Sequence, residues 1–202
     1  LTLGHDEYWS TAMRAGAGIV WCGLPGREAA VQAGGSEIIT KALPATDDGA
    51  LAGLDDLLSS IERFRVLAVG PGLGTADATR AAVRELMAKA TVPVVLDADG
   101  LNAFTGDAAA LGERPGPTVL TPHDGEYARL AGEPVATDRV DSARRLAALT
   151  GAVVLLKGAT TVIADPDGRA TVNTTGGPEL ATAGSGDVLS GIIPGLIARG
   201  LP

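Results

Sequence analysis

Gly184-Ser-Gly-Asp187 is the densest chemical signal in the sequence. The glycines let backbone N–H groups converge on an anion where a helix starts, and the helix dipole adds positive potential there. That arrangement suits charge developing on a transferring phosphoryl group. Asp187, in the first turn, could take a proton from a substrate hydroxyl, a contribution of about 10²–10⁴-fold. The plainer alternative is a glycine-rich loop end with an Asp that merely favours a helix N-terminus. The Asn173-Thr-Thr-Gly-Gly177 loop just upstream favours the chemical reading.

Four further clusters follow short apolar runs. Lys157-Gly-Ala-Thr-Thr161 offers a cation for phosphate, a close backbone approach at Gly158 and hydroxyls at Thr160 and Thr161; the alternative is a solvated strand-ending lysine. Gly70-Pro-Gly-Leu-Gly74 is neither a Walker loop nor a dinucleotide fingerprint, which leaves backbone approach to a ligand or a tight turn. Asp97, Asp99 and Asn102 crowd one strand end and could hold Mg²⁺ through water or a ribose, with Asp99 as a helix cap in competition. His123 could hydrogen-bond a substrate and Glu126 could order Mg²⁺-bound water; first-turn dipole pairing is the alternative for Glu126.

The elements that must carry these clusters alternate. Helices are expected over 10–17, 51–62, 76–89 (capped by Thr75), from the Pro122–Glu126 segment to Leu130, 138–149 (capped by Asp138) and 184–199, the last bent near Pro194. Strands are expected over 19–22, 65–69, 92–96, 118–121 and 153–157. Thr161–Ala164 and Ala170–Asn173 flank Asp165-Pro-Asp-Gly168 and read as a hairpin. Such alternation predicts an α/β domain with a mainly parallel sheet between helices, its ligands gathered at the carboxyl edge of the strands.

Composition narrows the function. The 202 residues carry a net charge of −8, which argues against a nucleic-acid partner. The lone Cys22 excludes an intrachain disulfide and thiolate-rich zinc sites and fits a reducing compartment. No apolar run reaches the roughly 18 residues of a membrane helix, and no signal peptide opens the chain.

In order, the stretches Arg14-Ala-Gly-Ala-Gly18, Val69-Gly-Pro-Gly-Leu-Gly74, Leu96-Asp-Ala-Asp-Gly-Leu-Asn102, Leu120-Thr-Pro-His-Asp-Gly-Glu126, Val154-Leu-Leu-Lys-Gly-Ala-Thr160 and residues 180–191 resemble the ADP-dependent NAD(P)H-hydrate dehydratase family. The resemblance implies a three-layer α/β/α ribokinase-like fold, one domain over 1–202 incomplete at both ends. It implies a lyase that uses ADP (or ATP) to dehydrate (S)-NAD(P)H hydrate, releasing AMP and phosphate, in a cytoplasmic homotetramer. It also implies adenine-nucleotide contacts at Lys157, Gly158, Ala159, Thr160, Thr161, Asn173 and Gly186. Hydrated nicotinamide nucleotide would meet Gly72, Gly74, Asp97, Asn102, His123 and Asp187. Gly184, Ser185 and Gly186 would form the anion hole, Asp187 would be the catalytic base, and Glu126 would organise magnesium. Three departures stand out: residues 1–9 do not match the family's glycine segment, Asp124 replaces a proline where an anionic substrate should approach, and the chain stops at Pro202. A hydroxymethylpyrimidine-type kinase and a non-catalytic nucleotide-binding module are the rival readings.

Overall fold

The computed structural model describes residues 2–3, 6–26 and 38–201. The mismatched start lies partly outside these residues (Leu1, Gly4 and His5), as does the terminal Pro202. Nine strands form one sheet among the described residues: β1 (Thr2–Leu3), β2 (Trp21–Pro25), β3 (Ile39–Leu43), β4 (Leu67–Val69), β5 (Val94–Leu96), β6 (Thr118–Leu120), β7 (Val153–Leu156), β8 (Thr161–Ala164) and β9 (Ala170–Asn173). Their order is β3-β2-β1-β4-β5-β6-β7-β8-β9. Pairing is parallel from β3 to β7 and antiparallel for β8 and β9. The helices are α1 (Asp6–Arg14), α2 (Asp55–Leu58), α3 (Asp77–Lys89), α4 (Ala98–Asn102), α5 (Asp124–Ala131), α6 (Arg139–Thr150) and α7 (Ser185–Ala198).

Side chains alternate across the strands, so each strand feeds two layers. Leu67, Val69, Val94, Leu96, Leu120, Val154 and Leu156 point one way, into a core with Leu86 of α3, Tyr127 of α5 and Leu146 of α6. On the other face Trp9 and Ala12 of α1 meet Val20 and Cys22 in a smaller core. Helix α7 packs along α1 and reaches β4 and β5. Gly195 lets the two helices touch backbone to backbone: a Cβ there would lie 2.6 Å from the Ala15 Cβ and 2.8 Å from the Ala12 carbonyl oxygen.

Two devices set the strand ends that matter. At the amino edge, Arg114 donates to the carbonyls of Ala90, Val92, Gly116 and Pro117 and to the Thr118 hydroxyl, pinning the entries to β5 and β6. Its acceptors are neutral, and burial pushes its guanidinium down to about 10. At the carboxyl edge, Gly70 leaves β4 at φ +147°, with its α-carbon against the Asp97 backbone. A Cβ there would lie 1.7 Å from the Asp97 carbonyl oxygen.

Several sequence expectations shift. The helix expected over 51–62 shortens to α2 and a 3-10 turn at Ile61–Arg63, because the Ser59 and Ser60 hydroxyls bond back to the Asp56 carbonyl and compete with the helical ladder. Leu51 pairs with Ala45 instead. Thr75 does not cap α3; the N-cap is Ala76, without a side-chain bond. Helix α1 begins four residues earlier than expected, at Asp6. Strands β1 and β3 lie where no strand was expected. The Asp138 cap and the hairpin are found as expected, with the Asp138 carboxylate accepting from the Asp141 N–H.

Gly70→Ala is expected to destabilise the protein by roughly 3 kcal/mol or more, since both conformation and space oppose a side chain. Gly74→Ala, at φ +79° with nothing within 4 Å of the added carbon, should cost only about 1 kcal/mol. Urea unfolding of the two variants separates these costs; equal midpoints would contradict the close approach.

Candidate active site

The strand ends converge on a buried carboxylate. Asp97 is the N-cap of α4 by backbone position, yet its side chain makes no cap bond. It is 2% exposed. Oδ1 accepts from Lys157 Nζ at 2.8 Å and Oδ2 from the Ser190 hydroxyl at 2.5 Å. Lys157 enters from the end of β7, and its Nζ also lies 3.8 Å from Glu126 Oε2. One ion pair therefore joins the ends of β5 and β7 to the second turn of α7.

Helix α7 brings the glycine turn to this cluster. Gly184 is its N-cap in the left-handed region, φ +86°, which a glycine adopts without strain. A Cβ on Gly186 would lie 3.7 Å from Lys157 Nζ. Gly186 and Ser190 are four residues apart, so both face the Asp97–Lys157 pair. Asp187, three residues before Ser190 and half-buried, stands on the neighbouring line of the same face. First-turn amides of a helix lack intrahelical acceptors; in α7 the Ser185 N–H donates back to the Thr182 carbonyl at 3.3 Å.

His123 and Glu126 form a reciprocal cap of α5. His123 Nδ1 accepts from the N–H groups of Gly125 at 3.0 Å and Glu126 at 3.4 Å. Glu126 Oε2 accepts from the His123 N–H at 2.8 Å. With Nδ1 occupied as an acceptor, the neutral ring carries its proton on Nε2. The ring is just over half exposed and can offer that N–H outward, although Nε2 also lies 3.5 Å from Glu126 Oε1. The Lys157 N–H donates to the Pro122 carbonyl at 2.8 Å, which sets the nucleotide-loop candidate beside His123.

The remaining candidates fall into place unevenly. Gly72 (φ +77°) and Gly74 are exposed, and the Gly74 N–H donates to Asp99 Oδ2 at 2.9 Å, so Asp99 braces the glycine turn instead of capping a helix. Asn102 Oδ1 accepts from Arg129 Nε at 2.9 Å. Gly158, Ala159 and Thr160 are exposed and Thr161 is half-buried. Asn173 pairs with Thr161 across the hairpin, and its side chain closes a local turn with Thr175. The structure corrects one expectation. Asp97 has no surface to give a ribose, because burial and its two partners consume it. Glu126, 5% exposed, serves as an internal cap of α5, and its expected water-mediated role with magnesium is not one these contacts bear on.

Two residues escaped the sequence reading. Ser190 lay inside a helix with no local signal of its Asp97 contact. Arg139, the first residue of α6, reaches Asp124 and the Lys157 and Thr160 carbonyls. The negative charge that Asp124 adds is thus paired. A separate cavity of about 750 Å³, lined by Ile19, Trp21, Phe64, Arg65 and Arg199 among others, opens at the opposite, amino edge of the sheet.

A family profile described as NAD(P)H-hydrate dehydratase matches residues 10–201. The bifunctional NAD(P)H-hydrate repair enzyme of Moorella thermoacetica is 48% identical over 198 residues, covering 95% of this chain and 37% of its own length. That of Salinibacter ruber is 47% identical over 196 residues, covering 94% and 36%. The chain thus spans about a third of the length of these relatives. The ADP/ATP-dependent NAD(P)H-hydrate dehydratase of Bacillus subtilis, co-crystallised with ATP and Mg²⁺ and soaked with CoA, superposes with a TM-score of 0.73 at 30% identity, covering 98% of this chain and 73% of that one. Phosphofructokinase-2 of Escherichia coli, in complex with fructose-6-phosphate, shares the fold alone, with a TM-score of 0.66 at 14% identity and coverage of 97% and 75%.

Asp97→Ala should cost about 3–5 kcal/mol, because it strands a largely buried lysine and leaves the Ser190 hydroxyl without its acceptor. Asp97→Leu combined with Lys157→Met should cost less than the two single changes summed. A double-mutant cycle by urea unfolding reads this out, and simple additivity would show that the pair is not coupled.

Proposed function

Because the chain belongs to the NAD(P)H-hydrate dehydratase family, we propose that it dehydrates (S)-NADH or (S)-NADPH hydrate at the expense of ADP, with ATP as the alternative co-substrate. The observation that carries this reading is that the first turn of α7, which holds Asp187, abuts the Lys157 ammonium, a Cβ added at Gly186 lying 3.7 Å from Nζ. A helix N-terminus, a cation and a carboxylate then surround one point. Such a point suits phosphoryl transfer to a hydroxyl.

In the proposed reaction Asp187 accepts the proton of the hydrate's hydroxyl as its oxygen attacks the terminal phosphorus of the nucleotide. The bond from that phosphorus to the bridging oxygen breaks, and AMP leaves when ADP is the donor. The phosphorylated hydroxyl then departs as phosphate, a ring proton is lost, and the ring double bond is restored. Gly184, Ser185 and Gly186 stabilise the transferring charge through their main-chain amides. Gly158, Ala159, Thr160, Thr161 and Asn173 flank the adenine nucleotide. Gly72, Gly74, Asn102 and the Nε2–H of His123 face the nicotinamide nucleotide.

Magnesium would be carried here on the nucleotide phosphates; among the described residues no three His, Cys, Asp or Glu side chains gather around a metal position. There it would neutralise phosphate charge, and Glu126 would reach it through water. The Bacillus subtilis relative, crystallised with ATP and Mg²⁺, supports the nucleotide and ion assignment. A cytoplasmic homotetramer completes the reading. Among the described residues no helix is long and apolar enough to cross a membrane.

The test is incubation of the protein with hydrated NADH and Mg²⁺ plus ADP or ATP, followed at the reduced-nicotinamide absorbance. Asp187→Ala should lower turnover by about 10²-fold or more while nucleotide binding persists. Near-normal turnover in that variant would remove Asp187 from the chemistry. Nucleotide binding without turnover in the parent protein would favour a binding module, and phosphorylation of hydroxymethylpyrimidine would favour the kinase.

A further inference from the structure

Arg139 holds together two segments to which the proposed function gives different ligands. Its Nη1 donates to both oxygens of Asp124, at 2.8 and 3.0 Å. Nη2 donates to the Lys157 carbonyl at 3.0 Å and Nε to the Thr160 carbonyl at 3.2 Å. The guanidinium lies against Gly158, where an added Cβ would meet Nη2 at 2.5 Å. Asp124 directly follows His123, so one side chain spans the nicotinamide-side helix start and the nucleotide-side loop. Only a planar fork can reach a carboxylate and two carbonyls at once, and a lysine cannot reproduce it.

We infer that Arg139 is a positioning residue that sets the shape of the Lys157–Thr160 loop for the adenine nucleotide and couples it to the His123 turn through Asp124. This rests on the reading of that loop as the nucleotide site. The Arg139 side chain is only 23% exposed, although its partner Asp124 is 59% exposed. Without it, the exposed segment 158–160 loses its tie to α6, while Lys157 stays fixed by Pro122 and Asp97.

The test measures ADP and ATP dissociation constants by calorimetry, and kcat and nucleotide KM with hydrated NADH, for Arg139→Ala, Arg139→Lys, Asp124→Asn and the Arg139→Ala/Asp124→Asn pair. Arg139→Ala is expected to weaken nucleotide binding and raise its KM by roughly tenfold, with kcat at saturating nucleotide within about threefold of the parent. Arg139→Lys should not restore affinity. Asp124→Asn alone should have a smaller effect and add little in the pair. Should Arg139→Ala fold poorly, Arg139→Lys and Asp124→Asn carry the same measurement. A nucleotide KM unchanged within twofold in folded Arg139→Ala or Arg139→Lys overturns the inference. Equal affinity in Arg139→Lys and the parent does so too. If the parent protein binds neither nucleotide, the functional reading itself falls.

Discussion

A single buried carboxylate organises the site. Moving an ion out of water costs several kcal/mol even after relaxation, so Asp97 is tenable inside the protein only because Lys157 and Ser190 answer both of its oxygens. Those partners come from β7 and from α7, elements remote in sequence. The pair therefore acts as a geometric specification: the charges are satisfied only when the end of β7 and the second turn of α7 stand where they do. Gly70 enforces the rest, since the β4 turn packs on the backbone of the same aspartate with no space for a side chain.

This arrangement also sets how an acidic chain can receive anions. The Lys157 ammonium has an internal counter-ion before any ligand arrives, which reduces its reach as a bare cation. Attraction for phosphate must lean on backbone amides, at the start of α7 above all, where the helix dipole adds. Asp124 fits the same logic. Its charge stands near a site for anions but is held by Arg139, so little of it faces outward uncompensated.

Local chemistry was legible and remote chemistry was not. The hairpin followed from Asp165-Pro-Asp-Gly168, and the helix from 139 to 150 from its aspartate cap, because turn and cap signals act over a few residues. The His123-to-Glu126 spacing held a capping box, although His in place of Ser or Thr disguised it. The expected helix over 51–62 overran because its periodicity outweighed the serine hydroxyls that end α2. Asp97 was read as a ligand group: a carboxylate at a strand end looks the same in sequence whether it faces water or a lysine 60 positions away. Ser190 and Arg139 were invisible for the same reason, since their partners are assembled only by the fold. The glycine turn and the lysine loop were conspicuous in the sequence because glycines and a lone lysine stand out at the start of a helix and the end of an apolar run.

Pro194 gives α7 an uneven stiffness. A proline in a helix interior cannot donate to the carbonyl four residues back, and here that carbonyl belongs to Ser190, whose hydroxyl grips Asp97. The helix thus lacks one rung just behind the turn that faces the lysine. Beyond the proline, Gly195 seats the same helix against the backbone of α1. The two ends answer to different neighbours across a softened joint, so small adjustments of the glycine turn need not be transmitted to the helix–helix seam.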